Sequence, residues 1–255
     1  MKKSLSLILC SLMFCLFVGS VTNVYAVNFF RMYMSIGKDN EPIVGKIDKT
    51  IDEAKKTLTK AKVDEFVKTP LYKKSEVAQA KVIFLQKKVE KNIENLAKTD
   101  PKYAEIKKLF EETMKGFIPP RGSNAFNVNK VLEPANKALA IGGLTKEEEA
   151  MFNYYKACAY FQSEDWNNAI NELSKIGNDE KKMFDDYYQI LGYSKMQLGD
   201  NEGALNIINE GNKVFPCINN YQVKMELYDR MGKDFSEDKK IMLLFIGKNE
   251  YDDLK

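Results

Sequence analysis

Imidazole chemistry is closed to this chain, because its 255 residues include no histidine. Triads with a histidine base, HExxH zinc sites, His-x-Glu deaminase sites and two-histidine facial triads all need that ring. For nucleophilic chemistry there remains Ser35, three residues ahead of Lys38 in Ser-Ile-Gly-Lys. On a helix that spacing sets an amine beside a hydroxyl. Gly37 interrupts the helix it would need, and neither Ser-Asp-Asn nor Lys-Thr-Gly, the motifs that accompany such a serine, occurs in the chain. Chance spacing explains the match. Glu147, Glu148 and Glu149 could pair as acid and base, but Thr145 precedes them with Glu148 at the capping-box spacing. Helix capping and a first turn favoured by the helix dipole account for them. No GK[ST] or GxGxxG run occurs, so nucleotide binding has no motif behind it. The residues therefore predict no enzyme, no cofactor, no metal and no small-molecule substrate.

The elements that carry these residues begin with an address. Lys2 and Lys3 precede an apolar run over 5–18, and Val24-Tyr25-Ala26 follows where a signal peptidase would cut. The run is short of the ~20 residues that span a bilayer. Residues 1–26 are thus expected to be a signal peptide, with a periplasmic or extracellular product starting at Val27. An uncleaved membrane tether is the alternative. Cys10 and Cys15 follow Leu9 and Phe14, not the small residue of a lipoprotein signal. The mature chain keeps Cys158 and Cys217, and whether they bridge stays open, because spacing fixes no distance.

Charge divides unevenly. Residues 27–118 carry 20 basic and 14 acidic groups, whereas 119–255 carry 17 and 22. The basic groups are nearly all lysine, which lacks the planar fork for bidentate base contacts, so no nucleic-acid partner is predicted. A weak association of the lysine-rich helices with an anionic envelope surface is one consequence of the imbalance.

Apolar periodicity is helical throughout. Ile43, Ile47, Ile51, Ala54, Leu58 and Ala61 make one stripe, ended at Pro70; Val82, Leu85, Val89, Ile93 and Leu96 make a second. Asp100-Pro101 opens a third helix that Gly116 stops. These helices form an amino-terminal region over 27–118, either degenerate repeats or a separate bundle. Two prolines and a glycine then mark a linker over 119–130. Pro134 is expected to open a short helix closed by Gly142-Gly143.

Over 131–247 the chain repeats itself. Ala157, Asp165, Ala169 and Leu173 match Gly192, Asp200, Ala204 and Ile208 at a constant offset of 35 residues. Small residues let two antiparallel helices approach, and the aspartate marks the turn between them. A weaker third unit over 218–245 keeps Tyr228 and Gly232 but has Glu237 where the small residue belongs, as a terminal cap would. A tail over 248–255 follows.

These positions resemble the tetratricopeptide repeat. The resemblance covers two good units and a preceding half-unit, and it implies an all-α helical-hairpin solenoid. It departs at Lys195, where an aromatic is usual, and at Gly211, where alanine is common. In that family the first helices line a concave groove that grips a protein or peptide partner. Carried onto this chain, the groove residues would be Met151, Tyr154, Cys158 and Phe161, then Gln189, Tyr193, Met196 and Gln197, then Glu226 and Arg230. Some relatives clamp a chaperone's terminal carboxylate with Lys and Asn, but Tyr154 and Cys158 stand at the comparable places, which argues against that partner. The expectation is an exported, non-catalytic scaffold. Alternatives are a structural envelope component attached through its basic helices, and an enzyme with an unrecognised pocket.

Overall fold

The computed structural model describes Lys56 and residues 58–118 and 126–252, with the side chains of 249–252 outside that description. The expected signal segment, the Ser35–Lys38 pair and most of the first predicted helix lie outside the described residues. Among those described, every regular element is helical: α1 (Lys60–Phe66), α2 (Pro70–Leu96), α3 (Pro101–Gly116), α4 (Asn129–Ile141), α5 (Lys146–Gln162), α6 (Trp166–Ser174), a 3-10 turn (Glu180–Met183), α7 (Tyr187–Gln197), α8 (Asn201–Val214), α9 (Ile218–Arg230) and α10 (Ser236–Asp252). None is long and apolar enough to cross a membrane.

Local chemistry sets most boundaries. Thr69 caps α2 by accepting from the Tyr72 amide, and Pro70 sits in its first turn. Pro70 thus opens a 27-residue helix, and α2 begins well before the stripe that starts at Val82. Asp100 caps α3 through the Lys102 amide at 2.9 Å. Thr145 and Glu148 form the capping box of α5 in both directions, at 3.2 and 2.9 Å. Pro134 does not open α4. The helix starts at Asn129 and carries the proline inside it.

That proline shapes the α3–α4 contact. Without an N–H, it leaves the Lys130 carbonyl, four residues earlier, without its helical donor. Gly116 is the residue of α3 that packs there, and a Cβ at Gly116 would collide with this carbonyl oxygen.

The three carboxy-terminal hairpins share one turn. α5, α7 and α9 end in a left-handed residue, Glu164 (φ 60), Gly199 (φ 86) and Gly232 (φ 64). In each the next amide reaches back to the carbonyl five residues earlier: Asp165 to Tyr160 at 2.9 Å, Asp200 to Lys195 at 3.0 Å, and Lys233 to Tyr228 at 2.8 Å. This closure satisfies the last carbonyls of a helix and reverses the chain. Asp165 and Asp200 then cap α6 and α8 through the Asn168 and Gly203 amides. In the third hairpin, Asp234 binds the Ser236 amide at 3.1 Å and the second helix starts later. Glu237 is exposed there, in the first turn of α10, while the neighbouring Asp238 ties α10 to α9 through Lys224 at 2.8 Å.

Consecutive helices pack from α2 to α10. One core joins Val89, Ile93, Tyr103, Ile106 and Leu109 of α2 and α3 to the interiors of α4 through α9. A second cluster binds Phe66 of α1 to Tyr221, Met242, Phe245 and Ile246, with Leu71 and Tyr72 of α2 packed on it. α2, about 40 Å long at 1.5 Å per residue, therefore straps the molecule. It starts against α10, donates from Gln86 Nε2 to the Met183 carbonyl at 2.7 Å, and donates from Asn92 Nδ2 to Glu148 Oε1 at 2.9 Å.

Candidate binding surface

The residues expected to line an open groove are mostly interior. Met151, Tyr154, Cys158, Phe161, Gln189, Tyr193 and Met196 are all at most 2% exposed. Gln197 and Glu226 are half-buried, and Arg230 alone of the ten is exposed. The stripe on α5 faces the next hairpin, not solvent. Tyr154 stacks on Phe184 with ring centroids 4.0 Å apart, and its hydroxyl donates to Asp186. Phe161 meets Trp166 and Tyr193 edge-on at 5.3 and 5.7 Å. The stripe on α7 likewise faces α9, where Gln189 Nε2 donates to Asn220 Oδ1 at 2.7 Å and to the Cys217 sulfur at 3.0 Å. Arg230 reaches its own Glu226 at 3.1 Å and the Met196 carbonyl at 3.5 Å. A helical stripe identifies a buried side. Here the burying surface is the neighbouring hairpin, so these seven residues hold the stack together.

The small residues behave as their spacing predicts. Ala157, Ala169 and Ala204 are fully buried. A Cβ on Gly192 would come within 2.7 Å of Ile208, on the partner helix α8. At Gly211, where the sequence resemblance leads one to expect alanine, a Cβ would lie 2.7 Å from Cβ of Tyr188.

Burial works against nucleophilic chemistry at the two thiols of this interior. Cys158 and Cys217 are free thiols. Burial first, and then the Asp186 carboxylate, pushes the Cys158 thiol well above its ordinary value; burial lifts Cys217 to about 12. Burial and Asp186 likewise hold Tyr154 well above the usual phenol range. Glu148 accepts from the Tyr103 hydroxyl at 3.1 Å besides capping α5, so its carboxylate ties α3 to α5. Lys156 and Glu172, both buried, pair at 3.1 Å across α5 and α6. Among the described residues, no group of three or more His, Cys, Asp or Glu is arranged to hold a metal ion.

The strap carries one uncompensated group. Glu90 of α2 has a buried Oε1 with no hydrogen-bond partner, and its charge is felt by Tyr155 of α5. Burial, reinforced by Glu94 and opposed by Lys87, raises its carboxyl from 4.5 to about 7. The unfolded chain loses this proton near 4.5 while the folded chain keeps it to about 7. Stability is therefore expected to fall by on the order of 2–3 kcal/mol as pH rises between those values, and to level off above 7. Urea unfolding of the parent and of Glu90→Gln at pH 5 and pH 8 checks this. The variant should be the more stable protein at pH 8 and should lack that fall.

One surface that does open lies along the first half of α2. A cleft of about 300 Å³ separates it from the turn after α6 and from the end of α8. Val82, Phe184, Tyr188, Val214 and Phe215 form its apolar walls, and Lys74, Lys81, Lys181 and Lys182 its rim. Val77, at the cleft, and Phe84, farther along α2, are 69% and 67% exposed. Sequence reasoning missed this place, because it joins two segments about a hundred residues apart. The only local signals are Val77 and Phe84, which stand off the apolar stripe of their helix. No protein-family profile, curated protein or solved structure matches the chain.

Proposed function

We propose that the chain is an exported helical-repeat scaffold of the tetratricopeptide type that holds another protein non-covalently and performs no chemistry on it. The observation that carries this reading is the recurrence of one turn, a left-handed residue followed by a five-residue back-bond, in three successive hairpins. Such stacks bury their faces against neighbouring repeats and present extended surfaces to partners. Export is supported by the basic start, short apolar run and Val-Tyr-Ala ending of residues 1–26. A non-catalytic role is supported by the internal pairing of Tyr154 with Asp186, Gln189 with Asn220 and Lys156 with Glu172. Those groups position helices. Because the first helices are enclosed, the partner is held on the outer edge along α2, where Val77 and Phe84 remain exposed.

Crosslinking in the native envelope, followed by denaturing purification, tests the reading. One protein enriched in constant ratio to the chain, and still captured after a high-salt wash, supports it. A chain that crosslinks to nothing, or that is stripped from the envelope by salt alone, contradicts it and favours a structural component attached by charge.

A further inference from the structure

We infer that the cleft between α2 and the 3-10 turn receives an acidic peptide segment bearing an apolar anchor side chain, an inference that rests on the partner-binding reading and names the chemistry of the partner. Four of the eleven lining residues are lysines, the other seven are apolar or aromatic, and none is a carboxylate. The full chain is close to neutral, with 39 basic and 36 acidic groups. Four ammoniums around one apolar floor are thus a local excess of positive charge. Lys182 pairs with Asp179 at 2.9 Å, and Lys181 binds the Asn178 side chain at 3.0 Å and lies over the Tyr187 ring. Glu210 accepts from the Tyr188 hydroxyl at 3.4 Å, and Glu180 and Asp185 flank the lining residues of the 3-10 turn. Lys74 and Lys81 have no ion-pair partner within about 4 Å among the described residues, although Lys81 is near enough to help lower the Asp179 carboxyl, so the α2 bank carries two cations without a direct carboxylate contact.

Spacing selects the ligand. Lys74 and Lys81 are seven residues apart, hence on one helix face and about 10 Å apart along the axis. In extended rotamers the two ammoniums suit two carboxylates better than one. Carboxylates two to four residues apart on an extended peptide are separated by about 7–13 Å and can meet both. The volume, at the small end of ligand sites, suits one or two apolar side chains set on Val82, Phe184 and Phe215, with Val77 at the mouth. Charge then steers the encounter while the anchor supplies the buried contact.

The test uses the full chain and a fluorescein-labelled peptide in which four aspartates flank a Phe-Leu pair, followed by anisotropy at two salt concentrations. Binding that weakens with salt, falls at least tenfold in Lys74→Gln/Lys81→Gln, and falls as far when asparagine replaces the peptide's aspartates is the expected result. Both lysines are exposed, so the variant should keep the parent's circular dichroism and melting curve, and Lys107→Gln/Lys108→Gln serves as a charge-matched control that leaves binding unchanged. Equal binding by the Lys74/Lys81 variant overturns the proposal. So does a cleft that takes dodecanoate in a Lys74- and Lys81-dependent manner while refusing the peptide. Should the native partner still crosslink fully to the Lys74/Lys81 variant, the cleft proposal fails and the scaffold reading stands. A chain that binds the peptide as expected but has no native partner upholds the cleft and overturns the scaffold reading.

Discussion

Tyr193→Ala together with Met196→Ala is expected to abolish the cooperative unfolding transition at room temperature. Both side chains are within 2% of full burial. Tyr193 packs edge-on against Phe161 and Trp166, at 5.7 and 5.8 Å, so its ring is shared by α5, α6 and α7. Truncating a buried aromatic costs about 3–5 kcal/mol and a buried methionine about 2–5 kcal/mol. The two sites lie within one helical turn and share a cavity, so the costs do not simply add. A loss of about 5 kcal/mol or more is still comparable to the whole stability of a small domain. Circular dichroism with urea titration reads this directly. Were the residues groove-facing, helix content and midpoint would stay near those of the parent.

Gly116→Ala is expected to be the most damaging of the single glycine replacements. The added methyl would meet the Lys130 carbonyl, a backbone group that cannot rotate away, with Val131 Cγ2 also at 2.9 Å. At Gly192, by contrast, the first atom met is the end of the Ile208 side chain, which can shift. Overpacking of this kind costs about 1–3 kcal/mol, and the backbone case belongs at the upper end or beyond. Thermal melts of Gly116→Ala and Gly192→Ala should rank in that order. A milder Gly116 variant would mean that α3 and α4 can slide apart, against the tight crossing at Pro134.

The hairpins are legible in the sequence because their signals are local. Asp165 and Asp200 cap the helix that follows them, Thr145 pairs with Glu148 three residues on, and the small residues recur at a fixed offset. Pro134 misleads because proline favours a first turn, yet here the released Lys130 carbonyl faces Gly116, a contact supplied by the preceding helix. Met151, Tyr154, Cys158 and Phe161 do share one face, as their spacing indicates. What covers that face is not legible, since the cover is Phe184, Asp186 and Tyr193, residues brought there by the next hairpin. The path of α2 lies equally beyond reach, because its bonds to Met183 and Glu148 join segments 97 and 56 residues apart.

The reactivity of one thiol decides between an enclosed stack and an open groove. Cys158 stands at the centre of the face assigned to the groove, fully buried beneath Tyr154 and the Asp186 side chain. The native chain is exposed to an excess of a small maleimide, and the Cys158 peptide is quantified by mass spectrometry over time, with a urea-unfolded sample as reference. An enclosed stack protects Cys158, so that modification proceeds only at the rate of unfolding while the unfolded reference reacts at once. Labelling of Cys158 within minutes in native buffer, with helix content retained, would contradict the closed packing and return that face to the partner.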